Sequence, residues 1–433
     1  MKVAILGYGK EGRAGKVYFR RKGAEVKVWR EFSAEEVAGE DFSEYDLVLR
    51  SPSVRPFKGC SSGTQYFFKH CPCPIIGVTG TKGKGTTCSL ISAVLSALGR
   101  RIFLIGNIGI PAISVLDELD KDCVVVYELS SFQLWDLRHS PEVAVVLPIE
   151  PDHLNVHKNM TEYVNAKANI ARWQKTEDVC IYNTQNEYAK AISKESRGEK
   201  IGYPVGGGEW VAEVEQKNLK DKESGATELK HKLNRALDSL AIVGGHNREN
   251  AEAAILAVAS FLRVSLAELL AKHFSEVTKG LADFHGLPHR LEFVTEVAKV
   301  KYYDDNFATG AKSMEVAIKA FREPTVLIMG GRDKTNNEDL PEIFKILRQA
   351  ENLKKIILIG ESGHEIFRRY KDRRFVLAES LVEAVEMARQ VAETEAKEAG
   401  TVVVVMSPAA ASFDMFKDVY DRGNQFQKLV RAL

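Results

Sequence analysis

The sequence predicts an α/β protein of three domains, each organised on a largely parallel sheet. Three observations point there. Strand-like apolar runs bounded by turn residues alternate with helical patterns almost from end to end, as consecutive βαβ units require. Two glycine-rich turns each follow an apolar run and open a helix. At 433 residues the chain is also too long for one core, a domain taking roughly 150 residues.

The first block, 1–74, holds "KVAILGYG", "AEVKVW" and "DLVLRSP", three short strands with crossovers, and closes at Pro72 and Pro74. Its turn "GYGKEG" sets Gly7, Gly9 and Gly12 between strand and helix, with Glu31 about 20 residues on. Glycines let backbone N–H groups face an anion, and the helix N-terminus adds partial positive charge. That turn suits a dinucleotide or another diphosphate. The second block, 75–284, carries "PIIGVTG", "RIFLIGN", "CVVVYELSS", "VAVVLPIE" and "DVCIYNT". A polar, lysine-rich stretch of about 185–240 follows, expected as an excursion of short strands and loops, before helical patterning returns in "HNRENAEAAILAVASFL". The third block, 285–433, begins at a hinge marked by Gly286 and Pro288. It carries five buried strands in "KVKYYDD", "TVLIMGG", "KKIILIG", "RRFVLAE" and "TVVVVMSP".

Sixty basic and fifty-nine acidic residues leave a formal charge of +1, so no global field recruits nucleic acid or an anionic membrane. Any anion site must be local. No run reaches the roughly 20 apolar residues of a membrane span, and "MKVAILGYGK" lacks the features of a signal peptide. A cytoplasmic monomer without membrane or nucleic-acid partners is expected. Cys60, Cys71, Cys73, Cys88, Cys123 and Cys180 are read as reduced thiols, and "CPCP" as a proline-rich linker, because no second cysteine pair completes a metal set.

The sharpest chemistry lies in "VTGTKGKGTTCSL". The loop leaves a strand and enters a helix with apolar face Leu90, Ile91, Val94, Leu95 and Leu98, stopped at Gly99. Gly80, Gly83 and Gly85 let amides turn inward, Thr81 stands among them, and Lys84 can reach between phosphates. Because Gly85 occupies the place of the usual hydroxyl residue, Thr86, or failing that Thr87, is left to hold Mg²⁺. Downstream, Glu128 ends an apolar strand, where open α/β sheets present ligand-binding groups, and His153 follows another. Lys167 sits on a helix in the middle of the inward face formed by Tyr163, Val164, Ile170 and Ala171. A lysine there either snorkels to water or serves a ligand.

"GTKGKGTT" resembles the nucleotide loop of the Mur ligase and folylpolyglutamate synthase superfamily, ATP-dependent enzymes that activate a carboxylate as an acyl phosphate and join it to an amine. "PIEPDHLNVH" and the lysine after it match that pattern too. The resemblance spans nearly the whole chain. It implies a Rossmann-like N-terminal domain, a central P-loop-type ATPase sheet and a Rossmann-like C-terminal domain. Catalysis would fall to Lys84, His153 and Lys167. Two Mg²⁺ ions would be held by Thr86, Glu128, His153 and Lys167, the last carbamylated by CO₂. Asn247, Arg290 and Asp305 match nucleotide contacts.

Other stretches look like the glutamate-adding branch of the family. Asn107, Ser130 and Gln133 match contacts to the muramoyl substrate, while Thr309, Lys334, Ser412 and Phe413 match the pocket for the incoming amino acid. The implied partners are ATP, UDP-N-acetylmuramoyl-L-alanine, whose diphosphate would meet the Gly7, Gly9 and Gly12 turn, and D-glutamate. Two positions depart from the pattern. Phe307 replaces a lysine and Val419 an aromatic residue, so a ligase adding a different amino acid stays open. A folylpolyglutamate synthase would lack the first block, and a dehydrogenase would have no use for the Lys84 loop.

Overall fold

The computed structural model describes residues 1–30, 41–107, 110–204, 222–333 and 338–433. They form three sheets in two compact units, one of Met1–Leu240 with Glu249–Asp283, the other of Ala241–Arg248 with Phe284–Leu433. Asn247 therefore belongs to the second unit.

The first unit holds two sheets. One is parallel, in the order β2 (Glu25–Trp29), β1 (Lys2–Leu6), β3 (Leu47–Arg50), β4 (Ser61–Ser62). The two-residue β4 is too short to leave an apolar pattern. Helix α1 (Lys10–Arg21) packs Tyr18 and Phe19 inward, and α2 (Gly63–His70) is capped by the Ser62 hydroxyl accepting from the Gln65 amide. The other sheet is also parallel, in the order β10 (Glu199–Tyr203), β9 (Val179–Asn183), β8 (Val143–Val146), β5 (Ile75–Thr79), β7 (Cys123–Glu128), β6 (Arg101–Gly106). Every residue of β5, β7 and β8 is buried, as strands covered on both faces must be. Helix α3 (Lys84–Ala97) follows β5, α4 (Ser131–Leu134) follows β7, and α5 (Met160–Arg172) follows β8.

The stretch 185–240 corrects the expected strands and loops. It contains the helix Glu187–Ser193, strand β10 and the helix Lys222–Leu237. Leu229, Leu233, Ala236 and Leu237 are buried at helical spacing, while the lysines between them disguise the period.

The second unit carries one sheet, in the order β11 (Glu292–Val297), β12 (Val300–Asp304), β16 (Val402–Met406), β13 (Thr325–Gly330), β14 (Leu353–Ile359), β15 (Phe375–Leu377). The five expected strands are there and parallel, and β11 adds an antiparallel edge. It pairs with β12 through Ala298 and Lys299, with φ of 51° and 68°, the positive values of a two-residue hairpin turn. None of its residues is fully buried, so no apolar run announced it.

Candidate active site

The phosphate-type loop stands where the second sheet changes direction. β5 lies between β7 and β8, with Val78 opposite Glu128 and Thr79 opposite Val146, and the chain runs outward on both sides. Ligands of open α/β sheets bind in that crevice. Gly80 (φ 156°) and Gly83 (φ 82°) need a backbone that L side chains rarely adopt, and a Cβ on Gly80 would lie 2.6 Å from Leu147 Cβ. Gly83 opens α3, so the free amides of its first turn face the loop.

Lys84 curls over this loop, its Nζ donating to the carbonyls of Gly80 at 3.1 Å and Thr81 at 3.0 Å. The Thr81 hydroxyl donates to Glu150 O, accepts from Glu150 N and meets the Tyr163 hydroxyl at 3.1 Å. Gly85 is buried in the first turn of the helix. Thr86 is half-buried there, whereas Thr87 is buried and its Oγ1 has no partner. Asn107 Nδ2 donates to Glu128 Oε1 at 3.1 Å. The other oxygen, Glu128 Oε2, is buried without a partner. An unpaired buried carboxylate oxygen costs free energy unless something completes it.

Lys167 settles the alternative posed by its sequence position, for it does not snorkel. It is 1% exposed, its Nζ donates to Gly80 O at 2.8 Å and lies 4.7 Å from the centre of the Tyr163 ring. Burial, reinforced by the positive charge of Lys84, pushes its pKa well below the ordinary lysine value; Asp152 and Glu128 pull weakly the other way.

His153 stands at the rim, half-exposed, with a positive φ of 54° and its Nε2 3.5 Å from Asp152 Oδ2. One turn later His157 is 1% exposed, with Nε2 and Ser131 Oγ 3.0 Å apart and Nδ1 without a partner. Its ring stacks on Phe132 at 5.3 Å and lies 4.4 Å from Trp135, and burial lowers its pKa. Both histidines are visible in "DHLNVH", but only the fold shows which one is enclosed.

The first sheet's glycine turn is built for close approach. Gly7 has φ 88°, its carbonyl accepts from the Ser51 hydroxyl at 2.9 Å, and a Cβ on Gly12 would fall 2.1 Å from that carbonyl oxygen. Gly9 meets nothing within 4 Å. Ser130 and Gln133 form a capping box on α4, and Gln133 Nε2 reaches on to Glu11 Oε1 at 2.8 Å in α1. Burial raises the Glu11 pKa, which the Gln133 hydrogen bond and Arg50 partly oppose. Arg50, 1% exposed, crosses from β3 to pair with Asp136 and donates to Phe132 O at 3.1 Å. The turn and the Ser130–Gln133 cap are thus tied together by buried polar contacts.

In the second unit, the ends of β12 and β16 bring Asp305 to Ser407, whose hydroxyl donates to Oδ2 at 2.8 Å, while Leu291 N donates to Oδ1 at 3.1 Å. Burial pushes the Asp305 pKa up to about 7. The Arg290 guanidinium lies over the Phe307 ring at 4.9 Å. Thr309 is half-buried just before the helix Ala311–Lys319, Ser412 is buried and Phe413 is 62% exposed. Asn247 Nδ2 donates to Val243 O at 2.7 Å. Lys334 and Glu31 lie outside the described residues.

Beneath this edge lies a polar cluster that sequence patterning missed. His289 Nδ1 is 2.6 Å from Asp304 Oδ2, Asn306 Nδ2 donates to Asp304 Oδ1 at 2.6 Å, and Gln427 Nε2 donates to Asp304 Oδ2 and Glu292 Oε2 at 2.9 and 2.8 Å. Buried Arg422 donates to Asn306 Oδ1 at 2.6 Å. His289, Glu292 and Asp304 are close enough to hold a cation, but the Gln427 amide and the imidazole already occupy their oxygens.

These features define an α/β enzyme with a phosphate loop, and the chain belongs to the Mur ligase family. Residues 78–258 match the Mur ligase middle domain and residues 289–408 the Mur ligase glutamate ligase domain. A Clostridium tetani protein named UDP-N-acetylmuramoylalanine--D-glutamate ligase is 33% identical over 411 residues, covering 90% of this chain and 84% of the relative. One of the same name from Clostridium kluyveri is 32% identical over 472 residues, covering 100% and 97%. Among solved structures, the MurF ligase of Thermotoga maritima in complex with ADP superposes with a TM-score of 0.58 at 14% identity, covering 99% of this chain and 95% of that one. Folylpolyglutamate synthase of Mycobacterium tuberculosis, complexed with ADP and AMPPCP, gives 0.55 at 15% identity over 83% and 92%. At such identity the likeness concerns the fold.

Proposed function

We propose that this chain is a cytoplasmic, monomeric ATP-dependent ligase that joins D-glutamate to UDP-N-acetylmuramoyl-L-alanine, a step of peptidoglycan precursor synthesis. The observation that carries the reading is the loop after β5, with the half-partnered Glu128 carboxylate on one side and the buried Lys167 amine against Gly80 on the other. The names of full-length relatives at 32% and 33% identity supply the substrates. We assign 1–74 to the UDP-substrate domain, 75–284 to the ATP domain and 285–433 to the amino-acid domain.

In this reading the amides of Gly80, Thr81, Gly83, Gly85, Thr86 and Thr87 cradle the phosphates. Lys84 exchanges its two carbonyl acceptors for phosphate oxygens and stabilises charge on the transferring group. The substrate carboxylate attacks the γ-phosphorus and ADP leaves; the amine of D-glutamate then attacks the acyl carbon and phosphate leaves. Mg²⁺, for which the oxygen-rich set of Thr86, Glu128, His153 and carbamylated Lys167 is suited, would offset phosphate charge in two sites. Burial supports carbamylation, because CO₂ reacts with the neutral amine and the buried site disfavours the charged form of Lys167. Loss of its proton to solvent leaves a carbamate, an oxygen anion in place of an ammonium. Asn107, Ser130 and Gln133, with the Gly7, Gly9 and Gly12 turn, position the UDP-muramoyl substrate. Asn247, Arg290 and Asp305 are assigned to the nucleotide, and Thr309, Lys334, Ser412 and Phe413 to D-glutamate.

A second reading keeps the chemistry and changes the acceptor. Phe307, stacked under Arg290, puts an aromatic ring where a lysine was expected. Phosphate release with UDP-N-acetylmuramoyl-L-alanine, MgATP and a panel of D- and L-amino acids separates the two. D-glutamate should stand above the rest; a stronger response to another amino acid would transfer the assignment to it, and no response to any would end both readings.

A further inference from the structure

Three thiols meet where the linker from the first sheet enters the second. Cys71 is the C-cap of α2, Cys73 stands two residues on, and Cys123 opens β7. The Sγ atoms of Cys73 and Cys123 are 2.9 Å apart, and those of Cys71 and Cys73 are 3.7 Å apart. The backbone register that leads into β5 agrees with this first contact. β5 and β7 are parallel with Ile75 opposite Val125, and Val125 N donates to Pro74 O at 3.0 Å, so the register extended two residues ahead of β5 sets Cys73 beside Cys123. Neighbouring strands lie about 4.8 Å apart, inside the ~4.4–6.8 Å that a disulfide spans between Cα atoms. Cys73 is 5% exposed and Cys123 3%, so oxidants in solution do not reach them directly, whereas Cys71 is half-buried.

We propose that Cys73 and Cys123 are the two halves of a reversible disulfide, with the half-buried Cys71 thiol the point of entry through which a hydroperoxide oxidises the pair. The Cys71 thiolate attacks the peroxide O–O bond, forming a sulfenic acid and releasing an alcohol, or water from hydrogen peroxide. Cys73 attacks the Cys71 sulfur; the S–S bond forms, the S–O bond breaks, and hydroxide leaves as water with the Cys73 proton. Cys123 then attacks the Cys73 sulfur and expels Cys71, which takes the Cys123 proton. Overall, one hydroperoxide and two thiols give a disulfide, an alcohol and water. The contacts favour this direction, since the Cys73 thiol beside Cys71 draws the Cys71 pKa down, while that same contact and burial push the Cys73 pKa up. The bond would fix the N-terminal ends of β5 and β7, whose opposite ends lead to the phosphate loop and Glu128.

The test treats the full chain and its Cys71→Ser variant with hydrogen peroxide, alkylates free thiols and maps peptides without reduction. The wild type should yield a peptide linked through Cys73 and Cys123 that a thiol reductant removes, and Cys71→Ser should form it at least roughly tenfold more slowly. A Cys123→Ala variant should instead stop at a Cys71–Cys73 disulfide. If Cys73 and Cys123 stay fully alkylated while Cys60 or Cys71 is oxidised, the disulfide is excluded. Equal rates for wild type and Cys71→Ser would remove Cys71 as the point of entry.

Discussion

The phosphate-loop edge of the first unit and the β12–β16 edge of the second both bury charged and polar groups, but they treat them differently. Around the loop, Glu128 Oε2, Thr87 Oγ1 and His157 Nδ1 are enclosed and unpartnered, and Lys167 is held away from its charged form. Around Asp304, each buried group finds another: His289, Asn306 and Gln427 surround the carboxylate, and Arg422 holds Asn306. A fully paired cluster serves the fold, because pairing repays desolvation. A cluster with open valences carries a cost that a ligand can relieve, which marks it as a site.

Breaking each region should therefore read out differently. Lys84→Ala is expected to lower ligase turnover by roughly 10²–10³-fold or more with little change in thermal midpoint, since it removes a phosphate donor from an otherwise intact loop. Steady-state ADP release alongside calorimetry checks both halves. Asp304→Ala should do the reverse to stability, costing about 3–5 kcal/mol by stranding buried partners; denaturant unfolding followed in the second unit measures it.

Proton linkage gives the contrast opposite signs. Lys167 has its folded pKa lowered from 10.5, so the unfolded chain binds the extra proton and stability contributed at this position rises with pH up to 10.5. His289 has its folded pKa raised from 6.5, chiefly by the Asp304 hydrogen bond, so its contribution is full below 6.5 and is lost as pH climbs through the raised value. In CO₂-free buffer, wild type should gain on Lys167→Met and lose to His289→Gln as pH increases. Thermal midpoints across pH test this, and parallel slopes would erase the distinction.

The smallest effect concerns the first sheet. Gly12→Ala should cost about 1–3 kcal/mol, because its Cβ would strike the Gly7 carbonyl, whereas Gly9→Ala should stay within about 0.5 kcal/mol. Urea midpoints of the two variants suffice.

What the sequence disclosed follows from locality. The loop, its glycines, Lys84 and the helix behind it are consecutive, so strand, turn and cap chemistry expose them directly. Glu128 was visible because it ends an apolar strand, and Lys167 because it interrupts an apolar helix face. The His289–Asp304–Gln427 cluster joins residues up to 138 positions apart, a pairing that no local period encodes. Ser130 and Gln133 were legible only through the family resemblance, and the tie of Gln133 to Glu11 spans 122 residues. β11 was hidden because an edge strand buries too little to enforce alternation, and the 222–237 helix because Lys230 and Lys232 interrupt the spacing of its buried leucines.

Binding of MgATP to the wild type, Lys84→Ala and Glu128→Gln, followed by calorimetry without the other substrates, bears most directly on the claim that the loop edge is an incomplete site awaiting a nucleotide and metal. The wild type should bind, and each substitution should weaken binding by roughly tenfold or more. Equal affinities for all three proteins, or none for the wild type, would contradict it.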